Sequence, residues 1–97
     1  MNNSYSIFKT PQEFLQDIAL KHKKLRKERG YTQSELAERS GVSLGSLKRF
    51  EQTGQISFDN LLRLAHVLGR LSDFEAIFKI DTELENVERL FSDKTRR

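Results

Sequence analysis

The residues best suited to chemistry lie between Leu44 and Gln52, on the outward face of a predicted short helix. That face consists of Leu44, Gly45, Lys48, Arg49 and Gln52, with Ser46 at its edge. It therefore includes two cations and several hydrogen-bonding side chains. None of these side chains is needed to build a core on that face. They are therefore candidates for binding a partner.

The other reactive residues form no catalytic or metal-binding pattern. The chain has no cysteine, which excludes disulfides and thiolate chemistry. His22 and His66 are far apart in sequence and lack the spacing of a metal site, so we interpret both as ordinary helix residues. No carboxylate pair lies in an apolar setting, and no serine has a nucleophile motif. We therefore expect no enzyme activity, no metal and no cofactor.

Two short helices joined by a tight turn are predicted to position the outward face. Thr32, with Glu35 three residues later, forms a capping box that begins the first helix. Gly41 ends it, because glycine takes the left-handed conformation at little cost. Ser43 is predicted to cap the second helix, at 43–52, which carries the outward face.

A longer helix is predicted before this pair, from Thr10 to Arg29. Thr10 is a good N-cap, Pro11 occupies the first helical position, and Gly30 follows as the stop. Its apolar stripe consists of Phe14, Leu15, Ile18 and Leu25. Its other side is basic, with Lys21, Lys23, Lys24, Lys27 and Arg29. This side is either a solvated helix face or a phosphate-facing patch.

Three apolar segments are predicted after the pair. A helix from Ser57 to Gly69 is apolar nearly all round, and Ser72 with Glu75 predicts a further helix at 72–78. A helical seam follows at Ile80, Leu84, Val87 and Phe91. The predicted core comprises Phe14, Ile18, Leu25, Leu36, Leu47, Phe50, Leu61, Leu64, Phe74 and Phe78.

Composition indicates one small domain. The chain has 97 residues, 36% of them hydrophobic, and a net charge of +3, which by itself is weak evidence for a nucleic-acid partner. No apolar run is long enough for a membrane span, and the N-terminus has no signal-peptide pattern. We therefore expect a cytoplasmic protein without a membrane partner.

The stretch from Thr32 to Glu51 resembles the helix-turn-helix of the phage Cro/repressor (XRE) family. The matching residues are Thr32-Gln33, Leu36-Ala37, Gly41-Val42-Ser43, Leu47 and Phe50-Glu51. The resemblance extends more loosely from Leu25 to about Phe78. It implies an all-α, compact bundle of about five short helices whose second motif helix enters the DNA major groove. The domain would span 10–79, with an N-terminal arm at 1–9 and a C-terminal helical tail at 80–97.

The resemblance also implies which residues contact double-stranded DNA. The base-reading positions fall on Leu44, Gly45, Ser46 and Arg49, of which Arg49 has the chemistry to bond guanine O6 and N7 together. The phosphate-binding positions fall on Gln33, with Ser43, Lys48 and Gln52 as lesser candidates whose other role is capping or solvation. Arg26 and Glu51 correspond to a structural ion pair. The loop after Glu51 departs from the family because it is neutral.

Two functions are compatible with this resemblance. The first is a sequence-specific repressor that acts as a homodimer on a pseudo-palindromic site. The alternative is an antitoxin that neutralises a HipA-type kinase toxin and represses its own operon, since the stretches YSIFKTPQEF and SLKRFEQTG through LLRLAHVLGRLSDFEAIF are similar to such antitoxins. We expect the seam after Ile80 to serve association. It would otherwise pack on its own domain or become ordered when a toxin binds.

Overall fold

The computed structural model describes residues 9–80, and this part of the chain is all-helical. The elements are α1 Pro11–Glu28, α2 Gln33–Ser40, α3 Leu44–Thr53, α4 Phe58–Val67 and a 3-10 helix Leu71–Phe74. The all-α class is confirmed, although residues 9–80 hold four α-helices rather than about five. All but the last residue of the predicted arm and all but the first of the predicted tail lie outside the described residues.

Reciprocal side-chain caps begin the first two helices, as predicted. The Thr10 hydroxyl accepts the Glu13 N–H at 3.1 Å, and the Glu13 carboxylate accepts the Thr10 N–H at 2.9 Å. Thr32 and Glu35 repeat the arrangement at 3.0 and 2.9 Å. These bonds satisfy backbone donors that have no partner inside a helix, which fixes where α1 and α2 begin.

Two left-handed glycines end the motif helices. Gly41 has φ 78° and follows α2, as predicted, and Gly54 has φ 86° and follows α3. The helix α3 therefore continues through Thr53, one residue beyond the predicted end. A Cβ on Gly54 would lie 2.9 Å from the backbone of Leu15, so this glycine also allows α1 and α3 to approach closely.

The core lies where the four helices meet. Its buried apolar residues are Ala19, Leu36, Ala37, Val42, Leu47, Phe50, Leu64, Ala65 and Leu68. The sequence prediction was wrong for Phe14 and Ile18, each 40% exposed, and for Phe78, which is 97% exposed. The reason is that the buried residues of α1 are Ala19, His22 and Arg26, at positions i, i+3 and i+7. Part of the predicted apolar stripe therefore lies beside the surface that α1 packs against the other helices.

The predicted helix at 72–78 is replaced by a shorter element. The 3-10 helix Leu71–Phe74 has Arg70 as its N-cap residue, which makes no side-chain capping bond, and Ser72 lies inside the helix rather than ahead of it. The capping box expected from Ser72 and Glu75 is therefore absent. Phe78 adopts φ 57°, a left-handed conformation that interrupts helical continuation at this bulky residue.

Candidate nucleic-acid interface

The inner face of α3 anchors the helix and thereby fixes its outer face. Leu47 and Phe50 are fully buried, with Phe50 only 1% exposed. Lys48, Arg49 and Gln52 lie on the exposed side of the same helix. Within residues 9–80, neither Lys48 nor Arg49 forms an ion pair with a carboxylate. Both charges are therefore available to an anionic partner.

Arg49 borders a polar cleft between α3 and the start of α4. The cleft measures about 260 Å³ and is lined by Ser46, Arg49, Gln55, Ile56, Ser57 and Asn60. Gln55, Ser57 and Asn60 were not predicted as site residues, although a helix N-terminus beside a cationic helix is a recognisable signal for anions. The cleft extends the candidate surface beyond α3 into the α3–α4 loop.

Ser43 and Ser46 stabilise the first turn of α3. The Ser43 hydroxyl accepts the Ser46 N–H at 3.1 Å and donates its own hydrogen to Ser46 Oγ at 2.8 Å. Ser43 therefore acts as the N-cap, which is the capping role considered for it above. Ser46 also lines the cleft, and its hydroxyl group donates to no acceptor within residues 9–80.

Leu44 and Gly45 occupy different environments at the start of α3. Leu44 is half-buried and packs against the core cluster. Gly45 is exposed, and a Cβ placed on it would meet no atom within 4 Å. Nothing inside residues 9–80 therefore requires a glycine at position 45, although glycine costs about 1 kcal/mol in a helix relative to alanine.

A buried hydrogen-bond network centred on Glu51 joins α1, α2 and α3. Arg26 donates from Nε and Nη2 to the two carboxylate oxygens of Glu51, both at 2.9 Å, and from Nη1 to the Tyr31 carbonyl at 2.9 Å. Gln33 donates from Nε2 to Glu51 Oε1 at 3.0 Å. The side chain of Gln33 therefore holds the N-terminus of α2 against the C-terminal half of α3.

The network keeps Glu51 ionised far into the acidic range. Burial alone would raise the pKa of its carboxyl group, whose side chain is 3% exposed. Hydrogen bonds from His22, Arg26 and Gln33, and the charge of Arg26, outweigh burial and lower the pKa to about 2 from the ordinary 4.5. The ionised carboxylate is thus the acceptor that ties the three helices together.

His22 is a member of this network that the sequence interpretation missed. It is buried rather than an ordinary helix residue, with Nδ1 2.8 Å from Glu51 Oε2 and its ring edge against Phe50 at 5.0 Å between centroids. Its position four residues before Arg26 places both side chains on one face of α1 and was the available signal. His22 Nε2 is buried without a hydrogen-bond partner among the residues that the structure describes.

The basic side of α1 divides into engaged and available side chains. Lys21 lies 3.4 Å from Asp17, and Arg29 donates to the Leu68 carbonyl at 3.3 Å. Lys23, Lys24 and Lys27 are exposed. The phosphate-facing patch considered above is therefore reduced to these three lysines.

The combined surface carries groups that suit recognition of a partner. It presents a guanidinium, an ammonium, hydroxyl groups and amides on helices held rigidly by the core. No three histidine or acidic side chains within residues 9–80 come together as a metal site would require. In the same range, no helix has the length and apolar character needed to cross a lipid bilayer.

Comparison with known proteins agrees with this geometry. A helix-turn-helix family model matches residues 23–74, which is more than half of the 97-residue chain. No curated protein and no solved structure matches the chain significantly. The matched range contains the Glu51 network, the capped helices α2 and α3 and the outward face of α3. The chain therefore belongs to the helix-turn-helix family of the Cro/C1 (XRE) type, and it is a DNA-binding transcription regulator.

Proposed function

We propose that the protein is a sequence-specific repressor that reads the major groove with α3. The observation that carries this proposal is Arg49, an exposed guanidinium on a rigidly anchored helix, beside a polar cleft and without a carboxylate partner within residues 9–80. A free guanidinium on a groove-sized helix has the geometry to bond guanine O6 and N7 together.

The other candidate contacts divide into base readers and phosphate binders. Leu44, Gly45 and Ser46 form the first turn of α3, ahead of Arg49, and would meet base edges. Gln33, Ser43, Lys48 and Gln52 would contact phosphates. The bond from Gln33 to Glu51 supports an indirect part of this role, because it orients the N-terminus of α2, whose free N–H groups attract anions.

A homodimer follows from the limited reach of one recognition helix. One helix contacts only a few base pairs, whereas two helices related by a two-fold axis double the contact and set a half-site spacing near one helical turn. We therefore propose a pseudo-palindromic operator bound by two copies of the chain.

The decisive variant for this proposal is Arg49→Ala. It should weaken binding to the specific operator by about 1–3 kcal/mol and relax the preference at one base pair in each half-site. Arg63→Ala is the matched control, since it removes the same charge from an exposed arginine that pairs with Asp59 on α4. Equal losses on operator and random duplexes for Arg49→Ala would contradict base reading by this residue.

An antitoxin role is the second candidate. The observation that favours it is apolar surface beyond the DNA-binding helices, where Phe78 is 97% and Ile80 59% exposed. Such surface suits a protein partner. The test is a search of the adjacent genes for a reading frame with kinase motifs. The protein that it encodes should form a complex with this chain. Absence of such a frame, or of a complex, would remove this candidate.

A further inference from the structure

We propose that a groove between α1 and α4 is the docking surface for the C-terminal segment, residues 84–91, of a second copy of this chain. This proposal rests on the homodimer proposed above and names its interface. It uses a surface that the recognition of DNA by α3 does not use.

The groove is mainly apolar. It measures about 340 Å³, and its apolar lining comes from both helices and from the residues around the 3-10 helix: Ile18, Leu25, Leu61, Leu68, Phe74 and Ile77. Ile18 is well exposed although apolar, as is Ile77. Apolar surface of this kind is stabilised when another apolar surface covers it.

The chain itself supplies a segment of matching chemistry. The described chain ends at Ile80, three residues after Ile77 of the groove, and 17 further residues follow. Their apolar residues Leu84, Val87 and Phe91 have the spacing of one helix face. Thr82 and Glu85 also have the spacing of a capping box, so the sequence predicts that a helix starts immediately before these apolar residues.

Charge also favours this segment. The stretch 81–91, which leads into this segment and includes it, carries four carboxylates, Asp81, Glu83, Glu85 and Glu88, against one cation, Arg89. The groove is bordered by two cations, Lys21 and Arg70, together with one carboxylate, Asp73, which pairs with Arg70 at 2.8 Å. Lys21 lies 3.4 Å from Asp17, which is not part of the lining, so the residues that line the groove carry a net positive charge towards an acidic helix.

The exposed residues before the segment favour a second copy over the same chain. Phe78 is almost fully exposed in a left-handed conformation, and Ile80 is exposed beside it. When two chains exchange their C-terminal segments, the connecting stretches 77–80 run past each other and bury these side chains. Exchange is also symmetric: each copy docks its segment in the groove of the other, so both contacts form together.

The groove is placed so that docking leaves the DNA-binding surface free. His22 lines the groove, and its Nδ1 atom lies 2.8 Å from Oε2 of Glu51 on α3. Lys48 and Arg49 project from the other side of that helix. A partner segment in the groove would therefore hold two copies together without covering either recognition helix.

Cysteine cross-linking of the full chain tests the proposal directly, since the natural sequence contains no cysteine. Untagged Ile18→Cys is mixed with tagged Val87→Cys and treated with a short bis-maleimide. Covalent heterodimer should form on the order of a hundredfold faster than with the control Glu38→Cys, because docking raises the effective concentration. Glu38 lies on the exposed side of α2, outside the groove.

The double variant Ile18→Cys/Val87→Cys separates the possible partners of the segment. A product linked within one chain would overturn the proposal in favour of packing on the same molecule, and a rate equal to the control would also overturn it. Ile18→Lys supplies an independent measurement: it should make the protein monomeric in sedimentation while leaving the binding of one half-site unchanged. Loss of half-site reading in Arg49→Ala is a separate result, so failure of the groove and failure of the repressor function can be told apart.

Discussion

Glu51 is the residue through which acid should act on the fold. The pKa of its carboxyl group is lower in the folded protein than in the unfolded chain, so ionised Glu51 stabilises the fold above pH 4.5. That contribution, about 3 kcal/mol when complete, is lost as the pH falls from 4.5 towards 2. Urea unfolding across this range should show the free energy of unfolding decreasing with acid.

Glu51→Gln tests the same network at neutral pH. The variant should be less stable by about 3–5 kcal/mol, because it leaves the buried Arg26 without its counter-charge. It should also show a shallower decrease in stability towards acid than the parent. Glu38→Gln is the control, since it makes the same change of charge at an exposed side chain outside the network. Parallel acid profiles for Glu51→Gln and the parent would contradict the assigned role.

Gly45 should affect stability and DNA binding in opposite directions. Gly45→Ala should stabilise the fold by about 1 kcal/mol, because alanine is the better helix former and its Cβ enters open space. The same methyl group should weaken operator binding if the backbone at position 45 approaches the DNA closely. Thermal unfolding and operator titration of the one variant measure both effects. Unchanged affinity together with higher stability would remove Gly45 from the interface.

Single residues were predictable where one local rule decides their role. The exposure of Arg49 follows from the helical pattern, whereas the pairing of Arg26 with Glu51, 25 positions apart, was implied only by the family resemblance. His22 was missed because its place on the Arg26 face of α1 was not used, and its partner Glu51 is 29 positions away in sequence. Gln55, Ser57 and Asn60 were missed because the fold of a loop, rather than a motif, brings them beside Arg49.

At the scale of elements, the contact between α1 and α3 depends on Gly54. Gly54→Ala should destabilise the protein more than Gly30→Ala by about 1–3 kcal/mol, because its Cβ would meet the backbone of Leu15. Gly30 is the matched control: it has φ 83° against 86° for Gly54, and a Cβ there meets nothing within 4 Å. Chemical unfolding of both variants isolates the close approach from backbone strain. Equal losses would show that the two helices can separate at no cost.

Helix ends were more predictable than helix packing. Thr10, Thr32, Ser43 and Ser57 all cap helices as expected, because capping depends on a few adjacent residues. The residue set of the core depends on how α1 rotates against α3, and this rotation placed Phe14 and Ile18 outside the predicted core. At 72–78 the predicted capping box did not form, because the 3-10 helix that follows Arg70 places Ser72 inside the element.

At the scale of the whole molecule, salt should oppose DNA binding. Neutralised phosphates release counterions, so the affinity should fall linearly on a log–log plot against salt concentration. The slope should be modest for a repressor, because Gln52–Ser57 carries no charged residue. Titration of one operator duplex at several salt concentrations measures the slope. An affinity independent of salt would contradict phosphate contacts by Lys48 and the lysines of α1.

Sequence selectivity is the central property assigned to this protein, and selection of bound sequences from random duplexes measures it most directly. The parent chain should enrich one pseudo-palindromic motif whose half-sites lie near one helical turn apart. Arg49→Ala should enrich the same motif with one guanine position relaxed in each half. A pool that stays random after repeated selection with the parent chain, or a motif unchanged by Arg49→Ala, would contradict the reading of DNA by α3.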